Sequence, residues 1–336
     1  MAKILVTGGL GFIGSHTVVE LQNEGYEVVI IDNLSNTTID VLDNIVSITG
    51  IKPTYVNIDL RNQKNVKQFF DTHEIDGVIH FAAYKAVGES VSKPLDYYQN
   101  NLNTLVYLLQ ELTERGINNL IFSSSCTVYG QADELPITEK AAVKPAESPY
   151  GYTKQVGEII IRDTCRVSDL NAVALRYFNP IGSHPSIKIG ELPLGVPQNL
   201  IPFITQTAAG IRAELSVFGD DYDTVDGTAV RDYIHVVDLA KAHIAALGRL
   251  ITKKNKETYE FFNVGTGKGS SVLEVIKAFE NASGKSLNYK IVGKREGDIT
   301  AAYADTTIAN KELNWKTEIS LNTALESAWQ WQQSQN

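Results

Sequence analysis

Short apolar runs alternate with segments of helical periodicity along the first half of the chain. The apolar runs predict β-strands at residues 3–7, 27–31, 54–58, 77–81, 119–123 and 172–175. The segments between them predict helices near residues 12–24, 38–48, 63–73, 95–115 and 150–166. Nearly continuous apolar strands are typical of a parallel sheet covered on both faces, and strand–helix alternation predicts right-handed crossovers. The pattern therefore predicts an α/β fold with a doubly wound parallel sheet.

The pattern changes after Asn179, where residues 180–200 combine prolines and glycines with little periodicity. Such a segment is typical of an irregular loop region around a ligand. Mixed elements follow, with helices near 200–209, 236–250, 271–282 and 321–334 and strands near 215–218 and 259–264. We predict a nucleotide-binding domain over residues 1–179 and a smaller α/β substrate-binding lobe over residues 180–336. The strand at 259–264 is expected to return to the large sheet.

A glycine-rich segment, Thr7 to Gly14, follows the first strand and opens the first helix. Gly8, Gly11 and Gly14 permit a tight turn, close backbone approach to a pyrophosphate and close helix packing. The helix N-terminus then offers free N–H groups to phosphates. Asp32 ends the second strand, where a carboxylate accepts hydrogen bonds from adenosine ribose hydroxyls and repels the extra phosphate of NADP. The segment therefore predicts a Rossmann-type domain that binds NAD.

Composition and charge argue against several classes of protein. The chain has 336 residues, 43% hydrophobic and 21% charged, as expected for a globular protein. The net charge of −9 argues against nucleic acid as a partner and requires local arginines to hold any anionic substrate. No secretory signal or membrane-spanning run is evident, and no metal site is predicted. Cys126 and Cys165 are read as free thiols, so we expect a cytoplasmic location.

Tyr150 and Lys154 are four residues apart in a predicted helix and share one of its faces. A neighbouring ammonium favours the phenolate, so we expect Lys154 to lower the pKa of Tyr150 and to make it a proton shuttle. Ser125 ends the triple serine 123–125 at the carboxyl edge of a strand, where ligands bind in such sheets. Each signal is weak alone, because such spacings also occur on helix surfaces and in turns. Together with the glycine segment they predict a proton-shuttle site beside a bound dinucleotide.

These motifs resemble the extended branch of the short-chain dehydrogenase/reductase superfamily. Longer blocks are similar to the UDP-glucose 4-epimerase family, whose members are also called UDP-galactose 4-epimerases. The blocks are at residues 32–34, 80–83, 85–91, 123–130, 175–180, 230–235 and 295–298, so the resemblance covers nearly the whole chain. It implies reversible inversion of C4 in UDP-glucose and UDP-galactose, with NAD and a transient 4-keto sugar.

The resemblance also implies a role for each matching residue. Tyr150 would take the proton from the sugar O4, Lys154 would hold the tyrosine and the cofactor ribose, and Ser125 would bind the reacting oxygen. The implied cofactor contacts are Gly8, Gly11, Phe12, Ile13, Gly14, Asp32, Asn33, Asp59, Leu60, Phe81, Ala82, Lys85, Asn100, Tyr150, Lys154 and Tyr177. The implied UDP-sugar contacts are Ser125, Asn179, Asn199, Phe218, Arg231, Arg295, Asp298 and Ala302. From spacing alone, Asp59 is equally well read as a helix N-cap.

Two features leave alternatives open. A small residue at Ala302 accompanies tolerance of N-acetylated sugars in the family, so UDP-GlcNAc and UDP-GalNAc are candidate substrates unless a neighbouring side chain, such as Tyr303, refills the space. The resemblance also implies a homodimer, formed by helices near 95–115 and 150–166 of each subunit. The apolar stripe on the first of these helices could equally belong to the core; it comprises Leu102, Leu105, Leu108, Leu109 and Leu112.

Two other functions share the motifs. A nucleotide-sugar 4,6-dehydratase has the same fold and cofactor, but those enzymes carry an Asp-Glu pair where this chain has Cys126 and Thr127. Neither residue can supply comparable acid–base chemistry. A catalytically silent NAD-binding regulator usually lacks the tyrosine or the lysine, and both are present here.

Overall fold

The computed structural model describes residues 1–295 and 297–335. The strands are β1 (Lys3–Thr7), β2 (Glu27–Ile31), β3 (Thr54–Val56), β4 (Gly77–His80), β5 (Asn119–Ser123), β6 (Asn171–Tyr177), β7 (Asn179–Ile181), β8 (Leu215–Phe218), β9 (Val230–His235), β10 (Tyr259–Val264), β11 (Gly269–Ser271), β12 (Tyr289–Val292) and β13 (Ala301–Ala302). The helices are α1 (Phe12–Asn23), α2 (Asp40–Thr49), α3 (Gln63–Thr72), α4 (Val87–Ser92), α5 (Pro94–Arg115), α6 (Pro149–Cys165), α7 (Leu200–Ala208), α8 (Val236–Ile251), α9 (Val272–Ser283), α10 (Thr307–Glu312) and α11 (Leu321–Ser334).

A seven-stranded parallel sheet in the order β10-β6-β5-β4-β1-β2-β3 forms the large unit. The chain runs outward in both directions from the boundary between β1 and β4, which is the point where ligands bind in doubly wound sheets. The predicted α/β fold class is confirmed. β10 lies parallel to β6, and α8 packs on α1 and the same sheet, so residues 236–264 join the large unit.

Two apolar layers cover the sheet, one on each face. Alternate residues of β1 supply both, because Ile4 and Val6 enter one layer and Leu5 enters the other. Of the apolar stripe on α5, the last four leucines are buried in the second layer and Leu102 is half-buried. For those four residues the core interpretation is the correct one.

The smaller lobe has its own core around Phe279, Leu325 and Trp329. A four-stranded sheet joins β7, β9, β11 and β13, and a two-stranded sheet joins β8 and β12. Of these strands only β8 was predicted. Within the described residues, no helix is both long enough and apolar enough to cross a membrane.

Candidate active site

One large cavity of about 1270 Å³ lies at the carboxyl edge of the large sheet, and the smaller lobe forms its other wall. The structure brings every residue predicted for catalysis or binding to the lining of this cavity. From the cofactor side these are Gly8, Gly11, Phe12, Ile13, Gly14, Asp32, Asn33, Asp59, Leu60, Phe81, Ala82, Lys85, Asn100, Tyr150, Lys154 and Tyr177. From the substrate side they are Ser125, Asn179, Asn199, Phe218, Arg231, Arg295, Asp298 and Ala302.

The glycine segment forms a tight backbone cradle. Gly8 adopts a φ of +68°, its N–H donates to the Ile31 carbonyl at 2.7 Å, and a Cβ there would lie 2.9 Å from the Ala82 nitrogen. A Cβ on Gly14 would lie 2.2 Å from the Gly8 oxygen. Gly11 caps α1 without a side-chain hydrogen bond, so the first N–H groups of the helix face the cavity. The cradle can therefore accept a pyrophosphate against bare backbone.

Asp32 stands at the end of β2, where the loops of β1 and β2 hold its carboxylate. One oxygen accepts from the Leu10 N–H at 3.1 Å and the other from the Leu34 N–H at 2.9 Å. Burial raises the pKa of Asp32, and these N–H donors oppose that shift. The carboxylate is thus oriented at the cavity wall before any ligand binds.

Asp59 lies at the same rim but does not cap a helix. Asn62 caps α3 by accepting the Asn65 N–H at 3.2 Å, so the N-cap interpretation of Asp59 is wrong. The guanidinium of Arg61 pairs with the Asp59 carboxylate at 2.6 Å and holds the pKa of that group below its usual range.

Tyr150 and Lys154 lie on one face of α6, which begins at Pro149 with Ser148 as its N-cap. The Lys154 Nζ donates to the Ser123 carbonyl at 2.5 Å and lies 5.8 Å from the Tyr150 ring centroid. Burial lowers the pKa of Lys154 to about 8, against the opposing effect of Glu158. Both side chains are thus held against the end of β5, beside Ser125.

The expected lowering of the Tyr150 pKa is wrong for the protein alone. Burial raises the pKa of Tyr150 to about 12, and a hydrogen bond with Ser125 opposes that increase. Desolvation of a phenolate in this pocket outweighs any help from the nearby ammonium. The residues of the chain therefore hold Tyr150 as a neutral phenol that can donate its proton.

Arginine, carboxylate and aromatic groups meet at the lobe side of the cavity. The Arg295 guanidinium donates to Asp298 at 2.8 and 3.1 Å and stacks 5.4 Å from the Phe218 ring centroid. Arg231 lies 3.8 Å from the same carboxylate. Two cations beside one acid leave a net positive charge, which suits a diphosphate in a chain of net charge −9.

Glu191 is a cavity residue that the sequence did not reveal. Its carboxylate accepts from the Asn199 amide at 2.6 Å and pairs with Lys85 at 3.0 Å. The Lys85 ammonium and the Asn199 amide come from opposite walls, so Glu191 connects the cofactor side to the lobe. Only the irregular composition of residues 180–200 pointed to this region.

Ala302 is buried beside Phe178 and Val128, at the point where β13 meets β9. Tyr303 points the other way, since its ring lies where a Cβ on Gly269 would approach to 2.9 Å. Among the residues the structure describes, Tyr303 is not part of the cavity lining. The interpretation that Tyr303 refills the space beside Ala302 is therefore wrong.

Thr127 is a second unpredicted feature of the cavity. Its hydroxyl is buried and has no hydrogen-bond partner within residues 1–295 and 297–335. It stands where a dehydratase would carry an acid, and an alcohol there is not a general acid at neutral pH.

The sequence and fold were compared with those of known proteins. A model of the NAD dependent epimerase/dehydratase family matches residues 4–265. A UDP-glucose 4-epimerase of Mus musculus is 49% identical over 99% of this chain and 97% of that protein. A UDP-glucose 4-epimerase of Bacillus subtilis is 48% identical over 98% of this chain and 97% of its own length.

Solved structures show the same relationship. A UDP-glucose 4-epimerase from Bifidobacterium longum in complex with NAD+ and UDP superposes with a TM-score of 0.95, 47% identity and coverage of 99% and 98% of the two chains. A UDP-glucose 4-epimerase from Stenotrophomonas maltophila, with bound NAD and formylated UDP-arabinopyranose, gives a TM-score of 0.95 at 46% identity, with coverage of 100% and 99%.

Proposed function

Because the chain belongs to the NAD dependent epimerase/dehydratase family, we propose that it is a UDP-glucose 4-epimerase that uses NAD to invert C4 of UDP-glucose and UDP-galactose. The neutral Cys126 and Thr127 argue against a 4,6-dehydratase, which needs an acid–base pair there. The presence of Tyr150, Lys154 and Ser125 in one cavity argues against a silent regulator.

The residues present suit NAD. Gly8 and Gly14 leave room only for backbone, which allows a pyrophosphate to approach the N-terminus of α1. Asp32 offers its carboxylate to a ribose and disfavours a 2′-phosphate. Ser123, Lys154 and Tyr177 line the same cavity and would hold the nicotinamide ribose. When bound, NAD supplies a hydride acceptor and donor and a positive charge beside Tyr150.

Tyr150 is the proposed proton carrier at the sugar O4. The positive charges of Lys154 and of bound NAD would favour the Tyr150 phenolate in the loaded enzyme. That phenolate would take the O4 proton, store it while C4 is a ketone, and return it when the hydroxyl is restored on the other face. Lys154 positions the phenol and supplies a positive charge, and Ser125 donates a hydrogen bond to the reacting oxygen. General acid–base groups of this kind contribute about 10²- to 10⁴-fold to a rate.

The UDP moiety is assigned to the lobe side of the cavity. Arg231 and Arg295 would bind the diphosphate, because guanidinium matches phosphate geometry bidentately. Phe218 would lie along the uracil and Asp298 would accept from the uridine ribose. The amides that would donate near the diphosphate and sugar are those of Asn179 and Asn199. On binding, Asn199 would exchange Glu191 for the ligand.

The observation that carries this proposal is the placement of Tyr150, Lys154 and Ser125 in the same cavity as the glycine cradle. Tyr150→Phe should lower kcat for UDP-galactose about 10²- to 10⁴-fold while NAD and UDP still bind. Tyr152→Phe is the matched control, since Tyr152 lies on the same helix but is exposed, and it should keep wild-type kcat. Near-normal turnover by Tyr150→Phe would overturn the assigned role.

We further propose that the enzyme accepts UDP-GlcNAc and UDP-GalNAc. Ala302 is the smallest chiral side chain available at this point of the wall, and Tyr303 does not fill the space beside it. Wild type should epimerise UDP-GlcNAc, and Ala302→Tyr should lose that activity while keeping UDP-galactose turnover. Absence of wild-type activity on the acetylated sugar would refute the proposal.

A homodimer through α5 and α6 is also proposed. Apolar side chains at Tyr98, Leu102 and Val106 of α5 stand in register one turn apart, and the rings of Tyr98 and Tyr152 are 6.2 Å apart. Ile159 continues this face on α6 and is 45% exposed. A molar mass of one subunit for the wild-type protein in solution would exclude the dimer.

The two free thiols support a cytoplasmic location, and the substrates support a role in galactose metabolism.

We also propose that the large sheet and the smaller lobe correspond to two domains. The NAD-binding domain would hold residues 1–179 together with the returning strand at 259–264, and residues 180–336 would mainly bind the UDP-sugar. Limited proteolysis that releases residues 180–336 as a folded fragment would contradict a shared strand.

A further inference from the structure

The three consecutive serines at the end of β5 have three different partners. The Ser123 carbonyl accepts from Lys154 and its hydroxyl pairs with the Tyr177 hydroxyl. Ser125 lines the cavity and accepts the Thr127 N–H at 3.2 Å. Ser124 is fully buried, and its hydroxyl donates to the Glu158 carboxylate at 2.5 Å. The middle serine thus faces the protein interior and serves a residue outside the reacting groups.

Glu158 is held firmly at the centre of a buried network. Its two oxygens accept from the Arg176 guanidinium at 2.9 and 2.5 Å. Both side chains are less than one-tenth exposed. Arg176 also stacks on the Phe261 ring of β10 at 3.9 Å and on the Tyr129 ring at 4.9 Å. A bidentate ion pair of this kind fixes orientation more tightly than a single hydrogen bond.

Glu158 and Lys154 are one turn apart on α6, and both are tied to the end of β5. Lys154 binds the backbone of Ser123, and Glu158 binds the side chain of the next residue. Two attachments on successive turns prevent rotation of α6 about its own axis relative to β5. The orientation of α6 about its axis in turn sets the position of Tyr150 relative to Ser125.

We propose that Ser124 and Glu158 are positioning residues for the epimerase reaction, which hold α6 in the one orientation that places Tyr150 and Lys154 against Ser125. The proposal rests on the function proposed above. Neither residue lines the cavity, so their effect is transmitted through the helix.

Glu158 also places a negative charge near Lys154. It raises the pKa of Lys154 against the lowering effect of burial. The other titratable groups around Glu158 are Arg176 on β6, Tyr129 after β5 and Tyr259 on β10. Near Lys154 they are His80 on β4 and Tyr150 on α6. Glu158 therefore has an electrical effect on the site that Ser124 lacks, and this difference separates the two variants.

The test compares Ser124→Ala and Glu158→Gln with Thr164→Ala, which removes a hydroxyl that donates to the Ile160 carbonyl within α6. Ser124→Ala should lower kcat for UDP-galactose about 10- to 100-fold, the range expected when a catalytic group is misplaced by up to about 1 Å. KM and bound NAD should stay at wild-type values, and the alkaline limb of the kcat profile should not move.

Glu158→Gln should lower kcat at least as much and should also move the alkaline limb to lower pH. The reason is that Lys154 loses the charge that favours its ammonium. A purely structural role would change kcat without moving that limb. Thr164→Ala should match wild type in every measurement.

Wild-type kcat in a folded Ser124→Ala protein would overturn the inference, even if Glu158→Gln fails to fold because Arg176 loses its partner. An unmoved alkaline limb in folded Glu158→Gln would overturn its electrical part. Wild-type inactivity on UDP-galactose would instead overturn the proposed function.

Discussion

A single methyl group on Gly14 provides a direct test of the nucleotide cradle. In Gly14→Ala the new Cβ would lie 2.2 Å from the Gly8 carbonyl oxygen and 2.9 Å from the Gly9 Cα. Both neighbours are backbone atoms, so no side chain can rotate away. The Gly8 carbonyl must move, although the N–H of the same residue is bonded to the Ile31 carbonyl at 2.7 Å.

Inserting a methyl group into a filled space costs about 1–3 kcal/mol. If the loop deforms in the free protein and must be restored on binding, that strain appears as lost affinity for NAD. The expected increase in the NAD dissociation constant is then about 5- to 150-fold, because 1.4 kcal/mol is about tenfold. If the loop resists, the same energy appears as a lower free energy of unfolding.

Titration calorimetry of NAD-stripped protein and urea unfolding measure both quantities. Gly248→Ala in the interior of α8 is the matched control, since its Cβ would have no described heavy atom within 4 Å apart from its chain neighbours and the nearby backbone of α8 itself. That variant should bind NAD normally and gain about 0.5–1 kcal/mol from the better helix former. Wild-type affinity combined with wild-type stability in Gly14→Ala would refute the steric reasoning.

Two further predictions concern stability. Burial lowers the pKa of His243 to about 4. Between pH 6.5 and 4 this histidine therefore takes up a proton only in the unfolded chain. The free energy of unfolding falls as the pH falls through this range, by up to about 1.4 kcal/mol per pH unit. Urea unfolding of His243→Gln should show a shallower decline between pH 6.5 and 5, and parallel curves would refute this. Glu260→Gln should lower the free energy of unfolding by up to about 3–5 kcal/mol, because it removes a partner of the buried Arg249. The control Asp163→Asn changes an exposed ion pair and should alter the free energy of unfolding by about 0–1 kcal/mol. Equal unfolding midpoints for these two variants would contradict the difference.

Local sequence patterns were sufficient to predict most of the large sheet. The strands β1 to β6 follow from apolar runs bounded by turn residues, and the helices between them follow from a 3.6-residue period. Most strands that are consecutive in the chain are also adjacent in the sheet; β3 and β4 are the exception, because the chain crosses from the edge strand β3 to the other side of β1. The glycine segment and Asp32 could be located for the same reason, since their spacing follows from one strand, one turn and one helix.

The smaller sheet could not be predicted because its pairing is not local. β13 has two residues, and its partner β9 lies about seventy positions earlier, so neither shows a pattern of its own. The charge state of Tyr150 was mispredicted for a related reason. Its sequence neighbour Lys154 favours the phenolate, but burial depends on the whole cavity wall and has the larger effect.

The place of β10 in the large sheet has a consequence for synthesis. Roughly 80 residues separate the end of β6 from the start of β10, so at about 5–20 residues per second the edge of β6 is without its neighbour for roughly 4–16 seconds. An apolar strand with unpaired N–H and C=O groups can pair with another chain. The nascent protein is therefore exposed to aggregation during synthesis, after its glycine cradle has emerged and before β10, the last strand of the large sheet, has emerged.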